Sequence, residues 1–129
     1  MATWTYVKDF IQANFKVQDV KEGGLTLQFG FEDGRSQVVF VSHAVSQGGA
    51  EWVEVESPVA KIDEVDLRAA LDFVATQICG SLSAVGDFLT VRHTLPLDNV
   101  DQNEIIDPIR SIALAVDVLE KRLTGADRF

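Results

Sequence analysis

With one cysteine, Cys79, the chain has no intramolecular disulfide and no second thiol for a cysteine-type metal knuckle. Cys79 lies beside Ile78 and just before Gly80, where a small buried thiol is the expectation. Histidine is scarce as well: His43 and His93 stand fifty residues apart, so a histidine metal pair has no support in spacing. Bases are few, with eleven Lys and Arg against twenty Asp and Glu for a formal charge of −9, and they are scattered. Phosphate backbones and anionic lipid would be repelled, which argues against nucleic acid and membrane as partners and leaves a basic peptide permitted. No apolar run approaches a membrane span. The opening MATWTYVKDF lacks a basic segment followed by an apolar one, so no secretory signal is expected and the chain reads as cytoplasmic.

A chain of 129 residues is expected to form one domain over 1–129, long enough to hide roughly two-thirds of its unfolded surface. The hydrophobic content of 47% and charged content of 24% lie in the globular range, and no internal repeat or low-complexity tract interrupts them.

Periodicity predicts eight elements. Thr3 caps a helix in which Trp4, Val7, Ile11 and Phe15 recur at three- and four-residue spacing. KVQDVKEGG reads as a link ending in a Gly23-Gly24 turn. LTLQFGFEDGRSQVVFV reads as a hairpin closed by a two-residue Asp33-Gly34 turn, which sets Phe29 opposite Val38 and Leu27 opposite Phe40. That register sends Val38 and Phe40 to the core and Val39 and Val41 to the other face. EWVEVES alternates until Pro58 closes it, with Val53 and Val55 inward and Trp52, Glu54 and Glu56 outward. Asp63 is read as the cap of a second helix that buries Leu67, Ala70, Leu71, Val74 and Ile78 and stops at Gly80. SLSAV and FLTVRHTL form a second hairpin about Gly86-Asp87, a pair that suits a type II′ turn. The last helix carries Ile105, Ile109, Ile112, Val116, Leu119 and Leu123. Asp101 with Glu104 three residues on imitates a capping box, so Pro108 falls inside the helix. The order α-β-β-β-α-β-β-α predicts an α+β fold, a mainly antiparallel sheet with helices on one face.

This element order, the VGDFLTVRHTLPL strand pair followed by a loop and a long helix, and the DVLEKRL helix end resemble the YbjN family of bacterial proteins, which share the fold of the type III secretion chaperones. The resemblance implies a small acidic α/β sandwich, usually a homodimer, with no known chemistry of its own. Secretion chaperones of this shape hold a partner's extended chain against apolar patches, whereas YbjN proteins are described as sensory or regulatory.

Residue by residue, the chemistry-bearing groups point to structural roles. Strand alternation places His93 with Leu89, Val91 and Leu95, opposite Thr90, Arg92 and Thr94, and no orienting partner or nucleophile stands nearby in sequence. Asp98, Asp101, Glu104 and Asp107 surround a helix start, where the macrodipole favours carboxylates by about 0.3–1 kcal/mol each, and they lack the D-x-D-x-D-G pattern of an EF-hand. Glu54 and Glu56 share an outer strand face without an opposing acid, and the glycine pairs at 23–24 and 48–49 lack the features of a phosphate loop. The expected interface is an outward group of Val39, Val41 and Trp52, with Phe88 as a second outward aromatic, and the alternative for the group is partial cover by the loop at 42–51 or by a helix on that side. The function expected is non-enzymatic protein binding by a homodimer, with itself and another polypeptide as partners and no cofactor or metal. The alternative is a small-molecule site or enzyme with a pocket near His93.

Overall fold

The computed structural model describes residues 2–129. Helix α1 (Trp4–Asn14) leads into four consecutive strands, β1 (Val17–Lys21), β2 (Gly24–Gly30), β3 (Ser36–Val45) and β4 (Glu51–Lys61). A 3₁₀ turn (Ile62–Glu64) and helix α2 (Leu67–Val74) precede the hairpin of β5 (Ser81–Val85) and β6 (Phe88–Pro96), and helix α3 (Gln102–Thr124) closes the chain. The six strands form one sheet in the order β1-β2-β3-β4-β6-β5, every neighbouring pair antiparallel. The architecture is α+β, as the sequence implies, with β1 added at one edge. Periodicity does not mark this strand, because an edge strand exposed at four of its five positions carries no alternation to detect.

The helices begin where their caps dictate. Thr3 accepts from the Tyr6 amide at 3.1 Å, and Asp101 accepts from that of Glu104 at 2.8 Å, so α3 does start ahead of Pro108 and contains it. Gly125 ends α3 in the left-handed region at φ 70°. Val7 and Ile11 of α1 and Ile105, Ile109, Ile112, Val116 and Leu119 of α3 pack with Leu25, Leu27, Val39, Val41, Val53 and Val55 in one hydrophobic cluster. Among the described residues, no helix packs on the opposite face of the sheet.

The first hairpin departs from expectation. Phe31 N–H donates to the Arg35 carbonyl, Gly34 N–H donates to the Phe31 carbonyl, and Gly34 alone takes a positive φ, of 84°. This is a type I turn followed by a left-handed glycine, not a two-residue turn, and the Asp33 carboxylate fixes it by accepting from the Arg35 amide at 3.1 Å. The register becomes Phe29 opposite Gln37, Leu27 opposite Val39 and Leu25 opposite Val41. One residue of slip reverses every side chain of β3: Val39 and Val41 are fully buried, whereas Val38 and Phe40 point away from the helices. The slip also carries Gln37 into the core, where its amide nitrogen donates to Ser57 Oγ at 2.8 Å and to the Pro58 carbonyl at 3.0 Å, while Ser57 Oγ donates to the Val38 carbonyl. These side-chain bonds replace the β3–β4 ladder beyond Glu56, and β4 therefore continues through Pro58 to Lys61 with a bulge between Pro58 and Ala60 against β6.

The second hairpin follows expectation: Val85 pairs with Phe88, and Gly86 takes φ 58°. Helix α2 does not. Asp66, rather than Asp63, caps it, accepting from Ala69 N–H at 3.1 Å, and the helix ends at Val74, with turns through Thr76 and Gln77 leading to Gly80. At φ 96°, a Cβ on Gly80 would stand 2.6 Å from Val91 Cγ1, so this glycine meets both a backbone and a packing requirement. Gly80→Ala is expected to lower unfolding stability by roughly 2 kcal/mol in urea titration. Gly23→Ala, with nothing within 4 Å of the added methyl, is expected to change it by less than about 0.5 kcal/mol.

Candidate interaction surfaces

On the helix-free face, Arg92 of β6 lies beside Glu56 of β4 in register, and Glu54 is two residues along the same strand. Arg92 Nη2 donates to Glu54, and Arg92 Nε lies 3.4 Å from Glu56 Oε2. Two carboxylates thus share one guanidinium near the middle of the sheet. Burial holds the Glu56 carboxyl above its ordinary pKa, opposed by the Arg92 charge and reinforced by that of Glu54. To one side of this acidic bar, Val38, Phe40, Pro58 and Phe88 border a hollow of about 220 Å3. Phe129 supplies a further wall by packing edge-on against Phe88, ring centres 5.9 Å apart. To the other side, Trp52 of β4 has Ala44 and Pro96 as its strand neighbours.

Of the four residues read as outward, two face outward. Trp52 is half-buried on the outward face, and Phe88 lines the hollow. Val39 and Val41 are corrected: the turn at 31–35 turns both into the core beneath the helices. Phe40 and Val38 occupy the outward positions instead. The run Val38-Val39-Phe40-Val41 is apolar at every position, so alternation within it is silent; the signal lay in polar Gln37 having buried partners in Ser57 and Pro58, a tertiary fact.

A second apolar surface was expected inside. On α2, of the five residues read as core only Ala70 is fully buried; Leu71 is 50% exposed, Leu67 is exposed, and Ile78 in the following turn is 100% exposed. Helix α2 packs over β5 at the sheet edge and touches α3, which leaves its Leu67–Leu71 stripe facing outward. The neighbouring charges are matched within the helix, Arg68 Nε donating to Asp72 at 3.1 Å.

The histidines are not brought together, since β4 lies between their strands. His43 stacks on Trp4 at 5.6 Å, and its Nε2 sits 2.9 Å from Glu51 Oε1. His93 is half-buried and borders an open cleft of about 300 Å3 with Cys79, Leu95, Asp101, Glu104 and Asp107. Among the described residues, only Asp117, Glu120 and Asp127 gather three ligand atoms within 4.8 Å, and there a cation is already built in. Arg35 Nε bonds Asp117 at 3.0 Å, and its Nη2 bonds the Ala126 carbonyl at 2.7 Å and lies 3.5 Å from Glu120. Glu120 also accepts from the Arg128 amide at 2.9 Å, and both Asp127 oxygens accept from Ser36 N–H. Burial raises the Glu120 pKa, against the pull of the Arg128 amide and Arg35. This cluster ties the chain after α3 to the first hairpin.

No protein-family model matches the sequence, and no curated protein matches it significantly.

The raised Glu56 pKa has a definite sign. A folded-state pKa above the unfolded value makes this carboxyl's contribution largest at low pH, and the contribution is lost as pH rises through the folded pKa. Glu56→Gln removes that loss. The thermal midpoint of the variant relative to the parent is therefore expected to be higher at pH 7 than at pH 4.

Proposed function

We propose that the chain is a non-enzymatic protein-binding domain that acts as a homodimer, in the manner of the YbjN and secretion-chaperone proteins it resembles. The observation that carries self-association is the outward stripe of α2. Leu67 and Leu71 of α2, with Ile78 in the turn that follows, present exposed apolar surface, and such groups are stabilised by a partner at about 25 cal/mol per Å2 covered. A second copy is the fitting partner. Isologous packing of α2 on α2 sets like stripes together, and the internal Arg68–Asp72 pair leaves no unmatched helix charge for a two-fold axis to duplicate. Binding of another polypeptide is supported by the helix-free face, which holds an apolar hollow on one side of a charged centre and half-buried Trp52 on the other.

The competing reading, a small-molecule or catalytic pocket, has in its favour the open cleft beside His93. A general base there needs an orienting hydrogen bond and a nucleophile within reach. Among the described residues His93 hydrogen-bonds to no other side chain, and the acids bordering the cleft are at the start of α3, where Asp101 is engaged as its cap. The protein-binding reading therefore accounts for more of the surface.

Sedimentation at micromolar concentration tests the dimer. The parent chain is expected at twice the mass of one chain and Leu71→Glu at a single mass, with unchanged circular dichroism. A parent that sediments as a monomer, or a Leu71→Glu variant that remains dimeric, rejects α2 as the self-interface.

A further inference from the structure

The helix-free face has an order along β4 that a ligand must match. Trp52 and Pro58 lie six residues apart on the strand, about 20 Å at the usual rise, with Glu54 and Glu56 between them on the same face. Trp52 has Ala44 and Pro96 beside it, and Pro58 opens onto the hollow walled by Phe40, Phe88 and Phe129. The face thus reads apolar, acidic, apolar. Arg92 meets only one of the two central carboxylates charge for charge, so the bar keeps one net negative charge. Phe40 is 40% exposed although flanked by these half-buried acids, and the hollow beside it has apolar walls with Glu56 at its rim.

We propose that this face binds an extended segment of another polypeptide carrying an apolar side chain, then a lysine or arginine, then a second apolar side chain, all three directed to the same side. The recognition is one of chemistry and spacing. In an extended chain, side chains on one side recur every second residue, so apolar groups six residues apart reach the Trp52 patch and the hollow together, and a base two residues inside the first lies over Glu54 and Glu56. The base supplies the positive charge that the two carboxylates and Arg92 lack, and the −9 overall charge favours encounter with such a segment. A second copy of this chain is a poorer match, because the same face opposed to itself sets two net-negative bars against each other. This assignment rests on the protein-binding half of the reading above and uses none of the α2 stripe.

The test measures fluorescence anisotropy of the labelled peptide Gly-Ser-Phe-Ser-Arg-Ser-Ser-Ser-Phe-Ser with the full-length protein. Three control peptides replace Arg by Glu, move Arg one residue so that it faces away, or replace both Phe by Ala. The parent peptide is expected to bind about tenfold or more tightly than each control, the size of one lost charge-assisted or buried contact. Binding is expected to weaken by about tenfold with Phe40→Ser and with Glu54→Gln/Glu56→Gln, to fall as salt is raised, and to be unaffected by Leu71→Glu. Phe40 is partly exposed, so its replacement leaves the fold in place, and circular dichroism verifies this for each variant. Absent binding, equal binding of all four peptides, or a Phe40-dependent change in the protein's own mass overturns the proposal, the last by assigning the face to a second copy. Loss of peptide binding with the Leu71-dependent dimer intact leaves self-association standing, and the reverse result separates the two in the other direction.

Discussion

The turn at Phe31–Arg35 decides what the rest of the surface can be. Its type I geometry with Gly34 in the left-handed region and Asp33 bonded to the Arg35 amide displaces the β2–β3 pairing by one residue from the two-residue alternative. In a sheet with helices on only one side, that displacement chooses which residues of β3 are solvent-facing. Val39 and Val41 complete the interior, and Phe40 and Val38 are left to wall an outer hollow. The cost is a buried amide at Gln37. Two hydrogen bonds to Ser57 and Pro58 offset it in part, while Gln37 Oε1 has no partner among the described residues.

Arg35, the last residue of the turn, extends its influence to the end of the chain. Its guanidinium sits among Asp117, Glu120 and the Ala126 carbonyl, the kind of buried ionic cluster whose disruption by loss of one partner is strongly destabilising. Through Asp127 on Ser36 and the Arg128–Glu64 pair, the residues after α3 run along the end of the sheet until Phe129 reaches Phe88. One turn thus fixes the register of β3 and anchors the segment that finishes the outer hollow.

Much of the scaffold was legible in the sequence because its signals are local. Thr3 and Asp101 announce helix starts, Gly86-Asp87 announces a two-residue turn, and the spacing of Ile105, Ile109, Ile112 and Val116 describes a buried helix face. The surfaces were less legible for three separate physical reasons. The Val38–Val41 run is apolar throughout and has no period to read. Strand β1 is an exposed edge with no alternation. The α2 stripe has the spacing of a core helix, and spacing reports that a face is apolar without reporting what covers it. Trp52 and Phe88 were found because each opens an alternating run whose same-side residues are polar, Glu54 and Glu56 after Trp52 and Thr90 and Arg92 after Phe88; Glu54, Glu56 and Arg92 were seen as outward but not as a bar between two apolar patches, since that depends on β6 lying beside β4.

The account stands on the register of the first hairpin, and thiol accessibility measures it directly. In a Cys79→Ser background, a maleimide is expected to label the Phe40→Cys thiol readily in native buffer and the Val39→Cys thiol only after denaturant is added. Rapid native labelling at position 39 with protection at position 40 would contradict it.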